Sequence, residues 1–280
     1  VPAPEAVTRR PRRTKALLAA LLAPLLLAGC DVPSFGVSKG VSATSHNTFI
    51  LWQGFSIAGI IVGGGTFLFI LWAVFRYRKK SDAIPKQTQY NLPLEIFYTI
   101  MPIVIVIGLF AATVVVENEV TAEPNAQANI TITAFQWGWK FTYPGHRAVI
   151  VGQTTQNPEM VMPADENVHF NLVSLDVVHG FYVRDFNFSR YAQPGLTNVF
   201  TFNITKTGVY NGQCTQLCGL YHSLMYFRIK VVTPAQYKAW LAVQDATTPA
   251  SRALAAKGAI KLGTASQVPT KPAYTTYGAH

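Results

Sequence analysis

Residues 214–225 read Cys-Thr-Gln-Leu-Cys-Gly-Leu-Tyr-His-Ser-Leu-Met, or C-x3-C-x3-H-x2-M. Two thiols, an imidazole and a thioether so close together make a soft donor set, which selects copper, zinc or iron–sulfur over magnesium or calcium. A structural zinc site would pair two cysteines with two further His or Cys ligands, and here only His222 is local. A mononuclear blue-copper site takes two His, one Cys and a weak axial Met. His179, in Ser174-Leu175-Asp176-Val177-Val178-His179, completes that set. Alone, His179 reads as a hydrogen-bonded core histidine. Read with the loop, it leaves the second cysteine over. A second thiolate beside the first can bridge two copper ions and give each one an imidazole.

The elements that must hold these donors follow from composition. At 280 residues the chain allows one or two domains, and only 13% of it is charged, which points to a membrane protein. The two loop cysteines and Cys30 are the only ones, so no disulfide framework is implied. The net charge of +10 is concentrated in two clusters, Arg9, Arg10, Arg12, Arg13 and Lys15, then Arg76, Arg78, Lys79, Lys80 and Lys86. Both clusters flank apolar runs, so they read as determinants of membrane topology, with no nucleic-acid partner called for.

Residues 1–29 read as a lipoprotein-type export signal: a basic start, an apolar run too short to span a membrane, and Leu27-Ala28-Gly29 before Cys30. Cys30 is then the candidate lipidation site. Residues 30–48 form a linker, and 49–116 a transmembrane hairpin. Its first span runs from Ile50 to Phe75 and its second from Leu94 to Val116. The basic cluster between them places that turn in the cytoplasm and the rest of the chain outside. From Asn129 the texture changes. Ile130–Thr133, Val168–Leu172, Val199–Phe202 and Phe227–Val231 are short β-branched or aromatic runs punctuated by Pro, Gly and Asn, which argues for an all-β sandwich. Thr233 and Pro234 predict a short helix to Val243. The extracytoplasmic domain spans 117–243, and 244–280 is a tail.

Loop, upstream histidine and hairpin together resemble subunit II of haem–copper cytochrome c oxidase. The resemblance implies a cupredoxin-like sandwich carrying a dinuclear Cu-A centre of two copper ions. Cys214 and Cys218 would bridge, His179 and His222 would be terminal ligands, and Met225 and the Gln216 backbone carbonyl would be the weak ones. Phe135-Gln136-Trp137-Gly138-Trp139-Lys140-Phe141 resembles the family's aromatic segment, in which Trp137 would receive electrons from the donor. Asn91-Leu92-Pro93-Leu94-Glu95-Ile96 resembles the start of its second span, where Glu95 would stand at the mouth of a proton pathway. The implied activity is electron relay from a cytochrome c-type donor to haem in a catalytic subunit I, within an oxidase complex that reduces oxygen and moves protons. The implied location is a bacterial cell membrane, with the copper domain outside.

Three positions depart from the pattern. Gln216 stands where the family's glutamate helps hold an interfacial magnesium ion, and an amide is a poorer ligand, so the magnesium site is open. Leu196 replaces the arginine of Pro-Gly-Arg, and Arg184 a proline. Quinol oxidase subunits share the hairpin and sandwich but lack the copper ligands, whereas this chain has a competent donor at every ligand position. Asp176, Asp185, Glu159, Asp165 and Glu166 are the acidic residues available to a basic donor. A nearly balanced domain charge hints instead at a tethered or docked cytochrome. No C-x-x-C-H motif occurs, so no c-type haem domain is fused within this sequence.

Overall fold

The computed structural model describes residues 34–79, 81–82, 84 and 87–250. The expected export signal, the candidate lipidation site Cys30 and the expected tail from residue 251 lie outside these. Two helices come first, α1 (Ala43–Arg76) and α2 (Leu92–Val120), of 34 and 29 residues. At the α-helical rise they are about 51 and 44 Å long, more than the ~30 Å needed to cross a hydrocarbon core. Their most apolar windows have mean hydropathies of 2.2 and 2.7, with no residue of either window buried. Both helices are long and apolar enough to cross a membrane.

Both helices overrun the 49–116 hairpin expected from hydropathy. Residues 43–48, expected as linker, form the first turns of α1, because Ser42 and Ser45 close a reciprocal capping box that satisfies its first free N–H groups. Residues 117–120, expected in the next domain, continue α2. The Thr121 hydroxyl bonds back to the Glu117 carbonyl at 2.8 Å, and Asn47 of α1 donates to the Glu119 carboxylate.

Ten strands follow: β1 (Ala128–Phe135), β2 (Gly138–Thr142), β3 (Val149–Gln153), β4 (Glu159–Pro163), β5 (Asn167–Ser174), β6 (His179–Val183), β7 (Phe188–Ala192), β8 (Asn198–Asn203), β9 (Gly208–Cys214) and β10 (Tyr226–Val232). They form two five-stranded sheets, ordered β3-β2-β1-β5-β8 and β4-β10-β9-β6-β7. β1 runs parallel to β5, and β4 parallel to β10. The expected architecture, a two-helix hairpin plus an all-β cupredoxin-like sandwich, is the one present. β5 alternates buried and half-buried residues throughout its length, as a strand with one face on a core must. The core is aromatic beneath the donor loop. Phe181 stacks on Phe227 at 4.8 Å, and Trp139 meets them edge-on at 5.9 and 5.0 Å. Such pairs add about 0.5–1.5 kcal/mol each beyond burial, so this end of the sandwich is stiff.

The segment before α1 is fastened to the sandwich. Asn187, in a left-handed conformation after a 3-10 turn at Arg184–Phe186, donates through its amide to the Ser38 and Ser45 carbonyls at 2.8 and 3.0 Å. The Thr205 N–H and hydroxyl both donate to the Val41 carbonyl at 3.1 Å.

Helix α3 (Pro234–Asp245) has the expected Thr233 cap and runs two residues past Val243. Its Tyr237 and Trp240 pack on Tyr143, whose hydroxyl donates to the Val161 carbonyl at 3.0 Å and accepts from the Val161 N–H at 2.8 Å. One phenol thus satisfies both backbone groups that edge strand β4 turns away from its partner. Tyr143→Phe leaves them buried and unpaired, and should cost about 1–3 kcal/mol in urea denaturation followed by tryptophan fluorescence. An unchanged midpoint would show that solvent replaces the phenol.

The last residue of α3 is anchored too. Asp245 accepts from the Arg147 N–H at 2.8 Å and the His146 ring at 2.7 Å. Chiefly the Arg147 N–H holds its carboxyl below the ordinary range. A depressed carboxyl stabilises the fold above its unfolded value and loses that contribution as pH falls through the folded one. Asp245→Asn should therefore flatten the decline of thermal stability below about pH 4. Near neutrality it should cost under ~1 kcal/mol, because the side chain is 38% exposed.

Candidate metal centre

The donor loop is the connection between antiparallel strands β9 and β10. Cys214 ends β9, Met225 immediately precedes β10, and the Cys214 N–H donates to the Met225 carbonyl at 3.0 Å. That bond closes the mouth of the hairpin and folds residues 215–224 back on themselves. His222–Leu224 forms one 3-10 turn that lifts the His222 ring toward Cys218. His179 starts β6, which pairs with β9 and so runs beside Cys214.

Gly180 allows this approach. Its carbonyl accepts the Thr215 N–H at 3.1 Å and its own N–H points at the Cys214 sulfur at 3.5 Å. A Cβ there would lie 2.9 Å from the Gln216 nitrogen and closer still to the Thr215 hydroxyl. Gly219 is needed for its backbone: φ is +121°, which L side chains rarely adopt.

The sulfurs of Cys214 and Cys218 lie 3.9 Å apart. His179 Nδ1 is 4.0 Å from the first and His222 Nδ1 3.5 Å from the second. The Gln216 carbonyl oxygen is 3.3 Å from Cys214 Sγ, and Met225 Sδ is 3.9 Å from Cys218 Sγ. All six donors singled out in the sequence therefore converge. His179, Cys214 and Cys218 have ligand atoms within 4.8 Å of one another. His179, Cys214, Cys218 and Met225 are buried, and Gln216 and His222 are half-buried.

The electrostatics suit a cation. Burial pushes the Cys218 thiol up to about 12, reinforced by the charge of Cys214 beside it. Burial also raises Cys214, but hydrogen bonds from His179 and the Gly180 N–H outweigh it and hold that thiol below its usual value. A positive ion between the sulfurs offsets both causes of the high Cys218 value. The donor set is soft and has no hard oxygen beyond one carbonyl, so it fits copper.

Trp137 is half-buried above the loop. Its indole N–H donates to the Cys218 carbonyl at 3.2 Å, and its ring meets Tyr221 edge-on at 5.0 Å. The Gln136 amide donates to the same carbonyl at 2.7 Å. Trp139 is fully buried in the core, 6.3 Å from the His179 ring.

Glu95 is remote from the centre. It lies in the first turn of α2, where its carboxylate accepts the Asn91 N–H at 3.1 Å while Asn91 caps Leu94, which gives it a part in starting that helix. Leu196 is half exposed and makes no side-chain hydrogen bond.

Sequence reasoning missed the partner of His179. Asp176, read there as an acidic residue available to a basic donor, is exposed but also bonds the buried His179 ring. Oδ1 accepts from His179 Nε2 at 2.8 Å and from the Val177 N–H at 2.7 Å, and Oδ2 accepts from the Gln136 N–H at 2.7 Å. Partial burial raises this carboxyl, but those bonds prevail and hold it low. The D-x-x-H spacing carries the signal. Glu159 is likewise engaged, with Arg228 at 3.4 Å.

Comparison with known proteins points to one family. The family described as cytochrome c oxidase subunit II, periplasmic domain, matches residues 129–232. The cytochrome c oxidase subunit 2 of Mycobacterium tuberculosis is 32% identical, over 80% of this chain and 80% of that one. The probable cytochrome c oxidase subunit 2 of Streptomyces coelicolor is 32% identical, over 82% of this chain and 86% of that one. A crystal structure of the periplasmic domain of subunit II of cytochrome oxidase of Bradyrhizobium japonicum is 30% identical, covering 43% of this chain and 95% of that chain with a TM-score of 0.40. The chain belongs to the cytochrome c oxidase subunit 2 family.

Proposed function

We infer that this chain relays electrons through a centre of two copper ions, which Cys214, Cys218, His179, His222, Met225 and the Gln216 carbonyl would hold. The electrons come from a cytochrome c-type donor and go to haem in the catalytic subunit, where oxygen is reduced to water and protons are moved. The observation that carries this reading is the pairing of the donors. Each sulfur has its own imidazole, at 4.0 and 3.5 Å, and its own weak third donor, at 3.3 and 3.9 Å. A single ion taking two imidazoles, one thiolate and the thioether would leave the second cysteine unused.

Copper bound here supplies one-electron oxidation and reduction, with no substrate bond made or broken. The protein's part is to keep the donors still and dry. His179 and Cys214 sit at strand ends and Met225 immediately precedes β10, all close to the Phe181–Phe227–Trp139 stack. A cage that changes little between oxidation states costs little to reorganise.

Trp137 is where electrons enter, because its half-exposed ring bonds directly to the backbone of a cysteine in the cage. Glu95 begins a proton path from the cytoplasmic side, in addition to its hydrogen bond in the helix start. In this reading the sandwich lies outside a bacterial cell membrane, Cys30 is lipidated and the catalytic subunit lies alongside. Magnesium at that interface would have to be held without a carboxylate at position 216.

Elemental analysis of the purified, copper-loaded chain should give two copper ions per polypeptide. Its paramagnetic resonance spectrum should show one electron shared between two copper nuclei. One ion or none in folded protein would overturn the reading. Cys218→Ser should abolish the shared-electron signal while the far-ultraviolet circular dichroism of the sandwich persists. In the assembled oxidase, Trp137→Phe should slow reduction by the cytochrome donor without lowering copper content, and equal rates would place the entrance elsewhere.

A further inference from the structure

Asp176 stands between two arms that end on different cysteines. A carboxylate only accepts hydrogen bonds, so the ring nitrogen it faces, Nε2 of His179 at 2.8 Å, must carry a proton. The other nitrogen, Nδ1, is then the one turned to the Cys214 sulfur. The second arm starts at Oδ2, which takes the Gln136 N–H at 2.7 Å. From that turn the Gln136 amide and the Trp137 indole both donate to the Cys218 carbonyl, at 2.7 and 3.2 Å.

Asp176 is itself held in place. The Val177 N–H bonds to Oδ1 at 2.7 Å, the Asp176 N–H bonds to the Ser174 hydroxyl at 3.3 Å, and the Leu175 N–H bonds to the Ala134 carbonyl at 3.0 Å.

We propose that Asp176 is the positioning residue of this centre: one carboxylate oxygen aims the His179 ring at the sulfurs, and the other locks the Gln136–Trp137 turn onto Cys218. Ligand direction and the seating of the electron entrance are then set together by one side chain. The proposal deepens the copper reading and rests on it for the role of His179. A metal-bound imidazole that donates its other N–H to a carboxylate has its orientation fixed and its basicity raised.

An asparagine has the same shape but only one acceptor oxygen. In Asp176→Asn, the amide nitrogen must oppose either the Gln136 N–H or the His179 Nε2 proton. Either the aromatic turn loosens or the ring changes its protonation pattern.

The test uses the full chain in detergent. Copper affinity of Asp176→Asn should fall about 10- to 100-fold, with a changed copper hyperfine pattern and a shifted reduction potential, while circular dichroism stays the same. Asp176→Glu keeps two acceptor oxygens and should recover part of the loss. Copper affinity, hyperfine pattern and potential all unchanged in Asp176→Asn would overturn the proposal.

A measurement without metal separates this proposal from the copper reading. In the metal-free wild type, nitrogen-15 resonance of the histidines, with His179 assigned by its absence in His179→Gln, should find a proton on Nε2. A bare Nε2 overturns the proposal, even if Asp176→Asn fails to accumulate. A wild type that binds one copper ion or none, with Nε2 protonated, instead removes the copper reading and leaves the hydrogen-bond assignment standing.

Discussion

Two sulfurs buried 3.9 Å apart cannot both become anions without a cation beside them. Burial and mutual repulsion each oppose the second charge, and the Cys218 thiol is pushed up to about 12 for those reasons. The rest of the site answers that constraint. The N–H of Gly180 points at one sulfur, two imidazoles flank the pair, and a thioether and a carbonyl complete the ring. The loop is a seat for positive charge before any metal arrives, and the softness of its atoms is consistent with copper.

That seat is assembled from three places in the chain. The β9–β10 hairpin brings four of the donor side chains and the Gln216 carbonyl. The first residue of β6 brings His179, and the β1–β2 turn brings the aromatic cover. None of these is adjacent to another in sequence. The strand pairing of β6 with β9 and the aromatic stack below them fix their separation. A loop alone could bind a metal, but only a packed sandwich can keep two donor pairs in register with each other. This is why the chemistry sits at the end of a sheet and not in the tail or hairpin.

Much of this was legible in the sequence because the donors lie in a short loop whose spacing survives folding. His179, 35 residues from Cys214, was legible by donor arithmetic and by resemblance. Asp176 was seen only as an acid available to a donor, and its bond to His179 was not, because a sequence shows that an acid is near a histidine and not which way a turn points it. The helix ends were misplaced for a related reason. Hydropathy marks the part of a helix that meets lipid, while the hydrogen-bond ladder of α1 and α2 continues into the polar residues 43–48 and 117–120. Strand β4 shows no alternation because Met160, Val161 and Met162 are all buried, with Tyr143 covering the edge. A period-two pattern vanishes when both faces of a strand are covered.

The fastening of residues 38–45 to Asn187 and Thr205 has a mechanical consequence. Without it, the sandwich would hang from the end of α2 by residues 121–127 alone and could swivel about them. With the segment before α1 bound to the opposite loops, the sandwich rests on two posts, one for each helix. Rotation about either post is opposed by the other. Electron tunnelling falls off exponentially with distance, so in the relay proposed above a platform held at two points would keep the gap to the next centre constant from one turnover to the next.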